Sequence, residues 1–367
     1  MGGYWLVFEE TERSIVNAPS NVPEVSRSLG RATSRKFEPL PDETHQIDDL
    51  IQTIKEAVDK FAADRSSRGD LKIVSRALRE LRYAFKVFAP YRAIRKVSIF
   101  GSARTQPDEP AYQQAMALGR AMAELDWLVV TGAASGIMEA GHRGAGREKS
   151  MGLNILLPFE QAANPVIAGD PKLVHMKYFF TRKLMFVKEC DAVVCLPGGF
   201  GTLDEALEVL TLLQTGKRDM VPLVLLDAPG GRYWQALDTF FREHVLARGM
   251  ISPEDRYLYR ITDRYEEAVA EIVGFYRVYH SMRYVREKLV FRLTTTISPG
   301  LLDAINREFA DILVDGRFEL TGPLPAEMDE PELSHLPRLV FSFDRHSMGK
   351  LRRLIDSLNA GEVSPVD

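Results

Sequence analysis

Cysteine is nearly absent from this 367-residue chain; there are two, Cys190 and Cys195. Two thiols make no disulfide framework and suit a reducing compartment, so they read as small core residues and a cytoplasmic location is expected. Long apolar runs are missing as well. None approaches the ~18 residues of a membrane span, and the opening MGGYWLVFEETER has no basic stretch leading into an apolar core, as a secretory signal would. No membrane partner is therefore expected. A marked excess of either charge is missing too: the net charge is −4, which gives no electrostatic argument for a nucleic-acid partner. Repeats and low-complexity tracts are not found. The strict dinucleotide fingerprint is lacking, because Gly101-Ser102-Ala103-Arg104 is not followed by the later glycines or by an acid placed for a ribose. A GxxxxGK[ST] loop is also lacking, which argues against a P-loop nucleotidase. No two histidines have zinc spacing, so His142 and His175 read as structural residues and neither a metal nor a cofactor is expected.

What is present is ordinary globular material, 45% apolar and 27% charged, in a chain long enough for two or three domains. Residues 1–44 mix Ser, Pro, Asn and Arg with short apolar islands and read as an extended arm. Over 45–95 two apolar stripes follow: Ile47, Leu50, Ile51, Ile54, Val58 and Phe61, then Leu71, Val74, Leu78, Leu81, Phe85 and Phe88. Their three- and four-residue spacing predicts two amphipathic helices, a hairpin extension. The second helix carries Lys72, Arg76, Arg79, Arg82 and Lys86 on its other side, a solvated face or the rim of a site for a phosphorylated effector. From Lys96 apolar strands alternate with helical patterns. Strands are expected at Val97–Phe100, Trp127–Val130, Asn154–Leu157, Leu173–Tyr178, Ala192–Leu196 and Leu223–Leu226, then a short one at Tyr259–Thr262. That alternation predicts the α/β class: a doubly wound, Rossmann-like parallel sheet over 96–285, with helices at Tyr233–Arg248 and Tyr265–Tyr279 near its end. Ligands in such sheets bind beyond the carboxyl ends of the strands. A small α+β module, β-α-β-β-α, is expected over 286–367: strands at Leu289–Thr295, Arg317–Leu320 and Leu339–Phe343, helices after Ser298-Pro299 and over Ser347–Leu358. It carries no catalytic constellation and reads as an accessory unit for oligomerisation or for sensing a small-molecule effector.

The chain is organised around Asp191–Lys217, DAVVCLPGGFGTLDEALEVLTLLQTGK. A buried strand runs into Gly198, Gly199, Phe200 and Gly201, and then into a helix with Leu203, Ala206, Leu207, Leu210 and Leu213 on one side. Thr202 is placed as N-cap or first residue, with Asp204 and Glu205 in the first turn. Strand, glycine turn and helix start present backbone N–H groups and a positive dipole end to a phosphate. Two carboxylates at that helix start would repel a phosphate lying against them, so Glu205 is expected to address a neutral or cationic part of a sugar phosphate, with Asp204 as helix-start chemistry. YFFTRKLMF supplies a second helix start, where Thr181 suits an N-cap and Arg182-Lys183 oppose the dipole, calling for an anion nearby.

PGGFGTLDE resembles the PGGxGTxxE signature of the LONELY GUY (LOG) family of phosphoribohydrolases, long labelled lysine decarboxylases, and the resemblance extends over about Lys96–Met250. It implies hydrolysis of the N-glycosidic bond of a nucleoside 5′-monophosphate such as AMP, to free base and ribose 5-phosphate. Cytokinin riboside 5′-monophosphates are the alternative substrates, and a non-catalytic nucleotide or cofactor carrier is the alternative class. Carried onto this chain, the family pattern gives Arg182 and Glu205 as the catalytic pair. Lys183, Glu160 and Thr211 become substrate contacts beside Gly198, Gly199, Phe200, Gly201, Thr202, Leu203 and Asp204. Ser102, after the first strand, and Gly132, Ser135, Gly136 and Glu139, after the second, complete the expected pocket. Ala133-Ala134 departs from the more glycine-rich turn of the family. A homodimer or larger assembly is implied as well. A lysine decarboxylase would need a cofactor such as pyridoxal phosphate, for which no lysine context is visible.

Overall fold

Residues 47–156, 162–327 and 330–361 are described by this computed structural model. The arm expected over 1–44 and the candidate contact Glu160 lie outside the described residues. The chain divides into two compact units between Ser66 and Ser67. In the first unit α1 (Asp48–Ala63) is the amphipathic helix predicted from its spacing, with Leu50, Ile51, Ile54 and Val58 exposed.

The second unit opens with α2 (Arg68–Phe88), started by a capping box in which Ser67 and Asp70 each accept from the other's backbone N–H. The apolar stripe legible in the sequence is buried only in part, at Leu81 and Phe88. Leu71, Val74, Leu78 and Phe85 are exposed, whereas Glu80, Ala84 and Phe88 are buried. Four-residue spacing puts these three on one line. Ala84 admits a close approach to the sheet's edge, and Glu80 accepts from the Lys177 backbone N–H there.

The central sheet consists of β1 (Lys96–Phe100), β2 (Leu128–Thr131), β3 (Ser150–Ile155), β4 (Leu173–Met176), β5 (Ala192–Cys195), β6 (Leu223–Leu226) and β7 (Arg260–Thr262). Their order is β4-β3-β2-β1-β5-β6-β7, all parallel. Apolar residues on both faces of each strand are what such a sheet requires. Phe100, Leu128, Val130, Val193, Cys195, Leu223 and Leu225 face one core, built with α5 (Phe179–Glu189) and α6 (Phe200–Gln214). Val97, Ile99, Val129, Val194, Val224 and Leu226 face another, covered by α3 (Pro110–Glu124), α4 (Ile137–Ala145) and α8 (Tyr265–Phe275). This is the doubly wound arrangement expected. The third strand starts earlier than expected, at Ser150, and the fourth stops at Met176 because Tyr178 already leads into α5. After α6 and β6, α7 (Tyr233–Phe240) passes into a π-type turn at Phe241–Val245.

The predicted helix to Tyr279 ends at Phe275 instead. Its aromatic run turns into β8 (Tyr279–Val285), hairpinned to β9 (Lys288–Leu293) through Arg286 at φ 53° and Glu287. The remaining elements are α9 (Pro299–Glu308), β10 (Glu319–Thr321), β11 (Arg338–Phe341) and α10 (Met348–Ala360), giving an antiparallel sheet of order β10-β11-β9-β8. The boundary expected at 286 thus falls within a hairpin turn. Phe275, Tyr279, Phe291, Phe341, Leu351 and Leu354 join the same apolar cluster as Val193, Val209 and Leu213. Cys190 and Cys195 are buried and unpaired; Cys190 lies 2.7 Å from Ser98 Oγ, and burial pushes its thiol up to about 12. No described helix is long and apolar enough to cross a membrane.

Candidate functional site

The chain builds β1 through β4 outward on one side, then returns to lay β5 against the other side of β1. Such a reversal is where open α/β sheets hold ligands, in the crevice beyond the carboxyl ends of the strands, here β1 and β5. The two turns are tied together: Ser102 donates its N–H to Pro197 O at 3.1 Å, and Leu196 donates to Phe100 O at 2.8 Å. A Cβ on Gly198 would lie 2.2 Å from Thr202 Oγ1 and 2.9 Å from Ser102 N, so only glycine fits between them. The Tyr233 hydroxyl donates to Gly198 O at 2.8 Å and fixes the turn from outside. Gly199 and Gly201, by contrast, have no atom within 4 Å of a built Cβ, so their backbone faces open space.

Helix α6 begins at Phe200, with Gly199 as N-cap, earlier than expected. Thr202 is therefore inside the helix and buried, rather than at its cap. The shift also moves Asp204 and Glu205 out of the first turn, which holds no acid. The expected repulsion at the helix start is thereby relieved; the Thr202 N–H donates to Gly199 O at 3.0 Å, while the N–H groups of Phe200 and Gly201 have no intrahelical acceptor. Phe200 projects into solvent, 91% exposed.

The turn after β2 forms a second wall. Gly136 has φ 64°, and a Cβ there would lie 2.3 Å from Ser102 O. Ile137 N–H donates to Ser102 O at 3.0 Å and Ser135 Oγ to Ala103 O at 2.8 Å, so the turns after β1 and β2 are locked to one another. Ala133, where the family turn is richer in glycine, is held at φ 61°. Its N–H donates to Thr131 Oγ1, and its carbonyl accepts from Asn164 N–H at 2.8 Å. Asn164 Nδ2 in turn lies 3.2 Å from Nδ1 of buried His142, which burial lowers to about 4 and keeps neutral. His142 is structural, as expected. Glu139 is paired with Arg143 at 2.6 Å.

The third wall is α5, whose N-cap is Tyr178 rather than Thr181. Lys183 Nζ lies 2.5 Å from Glu208 Oε2, 2.9 Å from Asp204 Oδ2 and 3.4 Å from Glu205 Oε2, bridging α5 to α6. Arg182 is differently placed. Its Nε is buried with no hydrogen-bond partner, and among the described residues no carboxylate lies within the 4.0 Å of an ion pair. Its guanidinium stands 5.7 Å and 5.5 Å from the Phe179 and Phe186 ring centres and 3.4 Å from where a Gly132 Cβ would be. Burial lowers its pKa, and the Glu205 charge opposes that effect. Glu205 is itself buried. Desolvation raises its carboxyl above the ordinary range, against the Lys183 and Arg182 cations.

Ser102, Gly132, Gly136, Arg182, Lys183, Gly198–Thr202, Asp204 and Glu205 thus lie on the turns and helix starts around one crevice. Leu203 turns partly towards the core. Thr211 is exposed, bonded to Leu207 O at 2.8 Å, on the helical face of Asp204 and Glu208 rather than that of Glu205. Three residues escaped the sequence reading. Glu208 was legible as the residue four after Asp204. Glu80, an acid in register with Ala84 and Phe88, hid behind the stronger apolar stripe. Tyr233 has no local signal at all. Among the described residues no group of three His, Cys, Asp or Glu side chains could hold a metal ion.

The family described as "Possible lysine decarboxylase" matches residues 131–272. The cytokinin riboside 5′-monophosphate phosphoribohydrolase LOG7 of Arabidopsis thaliana is 32% identical over 171 residues, 45% of this chain and 75% of that protein. LOG1 of the same plant, named for the same activity, is 42% identical over 77 residues, 21% of this chain and 34% of its own length. Among solved structures, the molybdenum cofactor carrier protein of Chlamydomonas reinhardtii is 21% identical, with TM-score 0.33 over 48% of this chain and 94% of that one. Given that identity across three quarters of LOG7, and a PGGFGTLDE segment that builds the turn after β5 and the start of α6, this chain belongs to the LONELY GUY (LOG) family.

Proposed function

We propose that the protein hydrolyses the N-glycosidic bond of a nucleoside 5′-monophosphate, releasing free base and ribose 5-phosphate. The observation that carries this reading is a pair of buried charges beside an open glycine turn: Arg182, whose Nε has no acceptor, and Glu205, whose carboxyl is raised by burial. A cation left without an acceptor calls for an anion from outside, and the bare backbone of Gly199 and Gly201 lets a phosphate approach the start of α6. Cleaving a ribose–base bond develops an oxocarbenium-like sugar, as in glycoside hydrolysis. A carboxylate at C1 stabilises that charge and takes a proton from the attacking water, and the raised pKa of Glu205 suits a base. Arg182 would orient ribose and phosphate, and Lys183 would hold the Glu205 carboxylate ionised. Phosphate binding, remote from the reacting bond, would serve to place C1 against the acid.

The names of LOG7 and LOG1 favour a cytokinin riboside 5′-monophosphate as an alternative substrate within the same reaction. The test is release of base from AMP, GMP, CMP, UMP and isopentenyladenosine monophosphate, by the wild type and by Glu205→Gln. The variant should fold normally and lose turnover by about a hundredfold or more. A Glu205→Gln protein as active as the wild type would end the assignment of that residue, and a wild type inert on all five nucleotides would end the reading itself.

A further inference from the structure

Helix α5 brings two cations to the site with nothing of its own to offset them. Its first turn contains no acid, and its N-cap Tyr178 provides no side-chain acceptor. The positive end of the helix dipole and the Arg182 and Lys183 side chains would therefore reinforce one another. The acceptor comes from another helix. Glu80 of α2 is buried on the line of Ala84 and Phe88, where the spacing calls for an apolar residue. A carboxylate is costly at such a position unless it is fully engaged. Its Oε1 accepts from the Lys177 backbone N–H at 2.9 Å and from Arg76 Nε at 2.8 Å, and its Oε2 accepts from the Thr181 hydroxyl at 2.8 Å. Lys177 and Thr181 bracket the entry into α5, so one side chain clamps both sides of the helix start.

We propose that Glu80 is a positioning residue for the site, capping α5 from α2 so that Arg182 is delivered to the glycine turns at a fixed angle and depth. The proposal rests on the function proposed above. Arg182 follows Thr181 directly, and with Nε unpartnered its side chain is guided by packing against Gly132, Phe179 and Phe186 and by the path of its own backbone. That path is what Glu80 holds. Lys183 is the internal contrast. Three carboxylates of α6 surround its ammonium, so its position is secured without α2. Among the described residues Glu80 forms no ion pair with Arg182 or Lys183, so it acts through the backbone of α5 and not on the ligand.

The contrast supplies a readout that a general loss of stability would not move. In a double-mutant cycle, Glu80→Gln should lower kcat/KM for AMP about tenfold in the wild-type background and by the same factor in Lys183→Met, but hardly at all in Arg182→Lys, where the delivered group is already spoiled. Equal losses in all three backgrounds, or no loss in the wild type, would overturn the proposal. Should Glu80→Gln fail to fold by circular dichroism, Thr181→Val removes one of the three contacts at nearly constant shape, together with the same hydroxyl's bond to Tyr178 O at 2.9 Å, and the same cycle is run with it. If the wild type releases no base, the proposed reaction fails on its own account, and the cycle is read instead in the affinity for ribose 5-phosphate by calorimetry. A wild type that neither cleaves AMP nor binds ribose 5-phosphate overturns both.

Discussion

Arg182 and Glu205 are placed at some cost to the fold. A buried donor without a partner costs about 1–3 kcal/mol, and Glu205 is a buried carboxyl whose pKa desolvation raises. Such strain is expected where a ligand completes the hydrogen bonding. The sign of the Glu205 shift gives a pH dependence. The working form is the carboxylate, so activity is present above the folded pKa and falls as pH drops through it. The acidic limb of kcat/KM should therefore lie above the ordinary glutamate value of about 4.3. Lys183 holds that limb down, so Lys183→Met should move it to higher pH, as a pH–rate profile would show. A limb at the ordinary glutamate value in the wild type, or one unmoved by the substitution, would detach Glu205 from the proton transfer. Arg182, Lys183 and Glu205 were legible in the sequence because a short motif and two cations at a helix start are local signals. Glu80 was not, because its partners Lys177 and Thr181 are brought to it only by the folded chain.

At the level of elements, the helix starts were read too late. The threonines at 181 and 202 look like N-caps, yet α5 and α6 begin before them at Phe179 and Phe200. Thr181 donates its hydroxyl to Glu80, and Thr202 is buried under Gly198. A local cap is not what serves these two ends: Glu80 of α2 answers the start of α5, and the start of α6 is left open at Gly199 and Gly201. The glycines of the turn after β5 separate folding from binding. Gly198→Ala should cost several kcal/mol or prevent folding, because its Cβ would collide with Thr202 and with the backbone at Ser102. Gly201→Ala meets nothing and lies in a helix, so it should raise stability by about 0.5–1 kcal/mol while weakening phosphate-ester binding. Urea unfolding and ribose 5-phosphate titration of both variants check this. A Gly201→Ala protein that binds as the wild type does would show that no ligand needs that opening.

Across the whole molecule, the parallel sheet could be anticipated from alternating apolar strands and helical periods, but the join to the second sheet could not. The run from Phe275 to Tyr284 repeats aromatics at helical spacing, and only pairing with Lys288–Leu293 makes a strand of Tyr279–Val285. The apolar cluster crosses from one sheet to the other without a break. Residues from Ser67 onward should therefore unfold in a single calorimetric transition, and a chain stopped after Val285 should be insoluble, since it exposes Phe275 and Tyr279 and leaves β8 an unpaired edge. Two resolved transitions for that unit, or a soluble and folded truncation, would show instead that the accessory sheet is a separable body.

Both sulfhydryls are buried, Cys190 at the end of α5 and Cys195 at the end of β5, and the one at Cys195 feels the charge of Glu205 close by. Burial raises both thiols above the ordinary cysteine range and keeps them from solvent, so an alkylating agent should label neither in the folded protein.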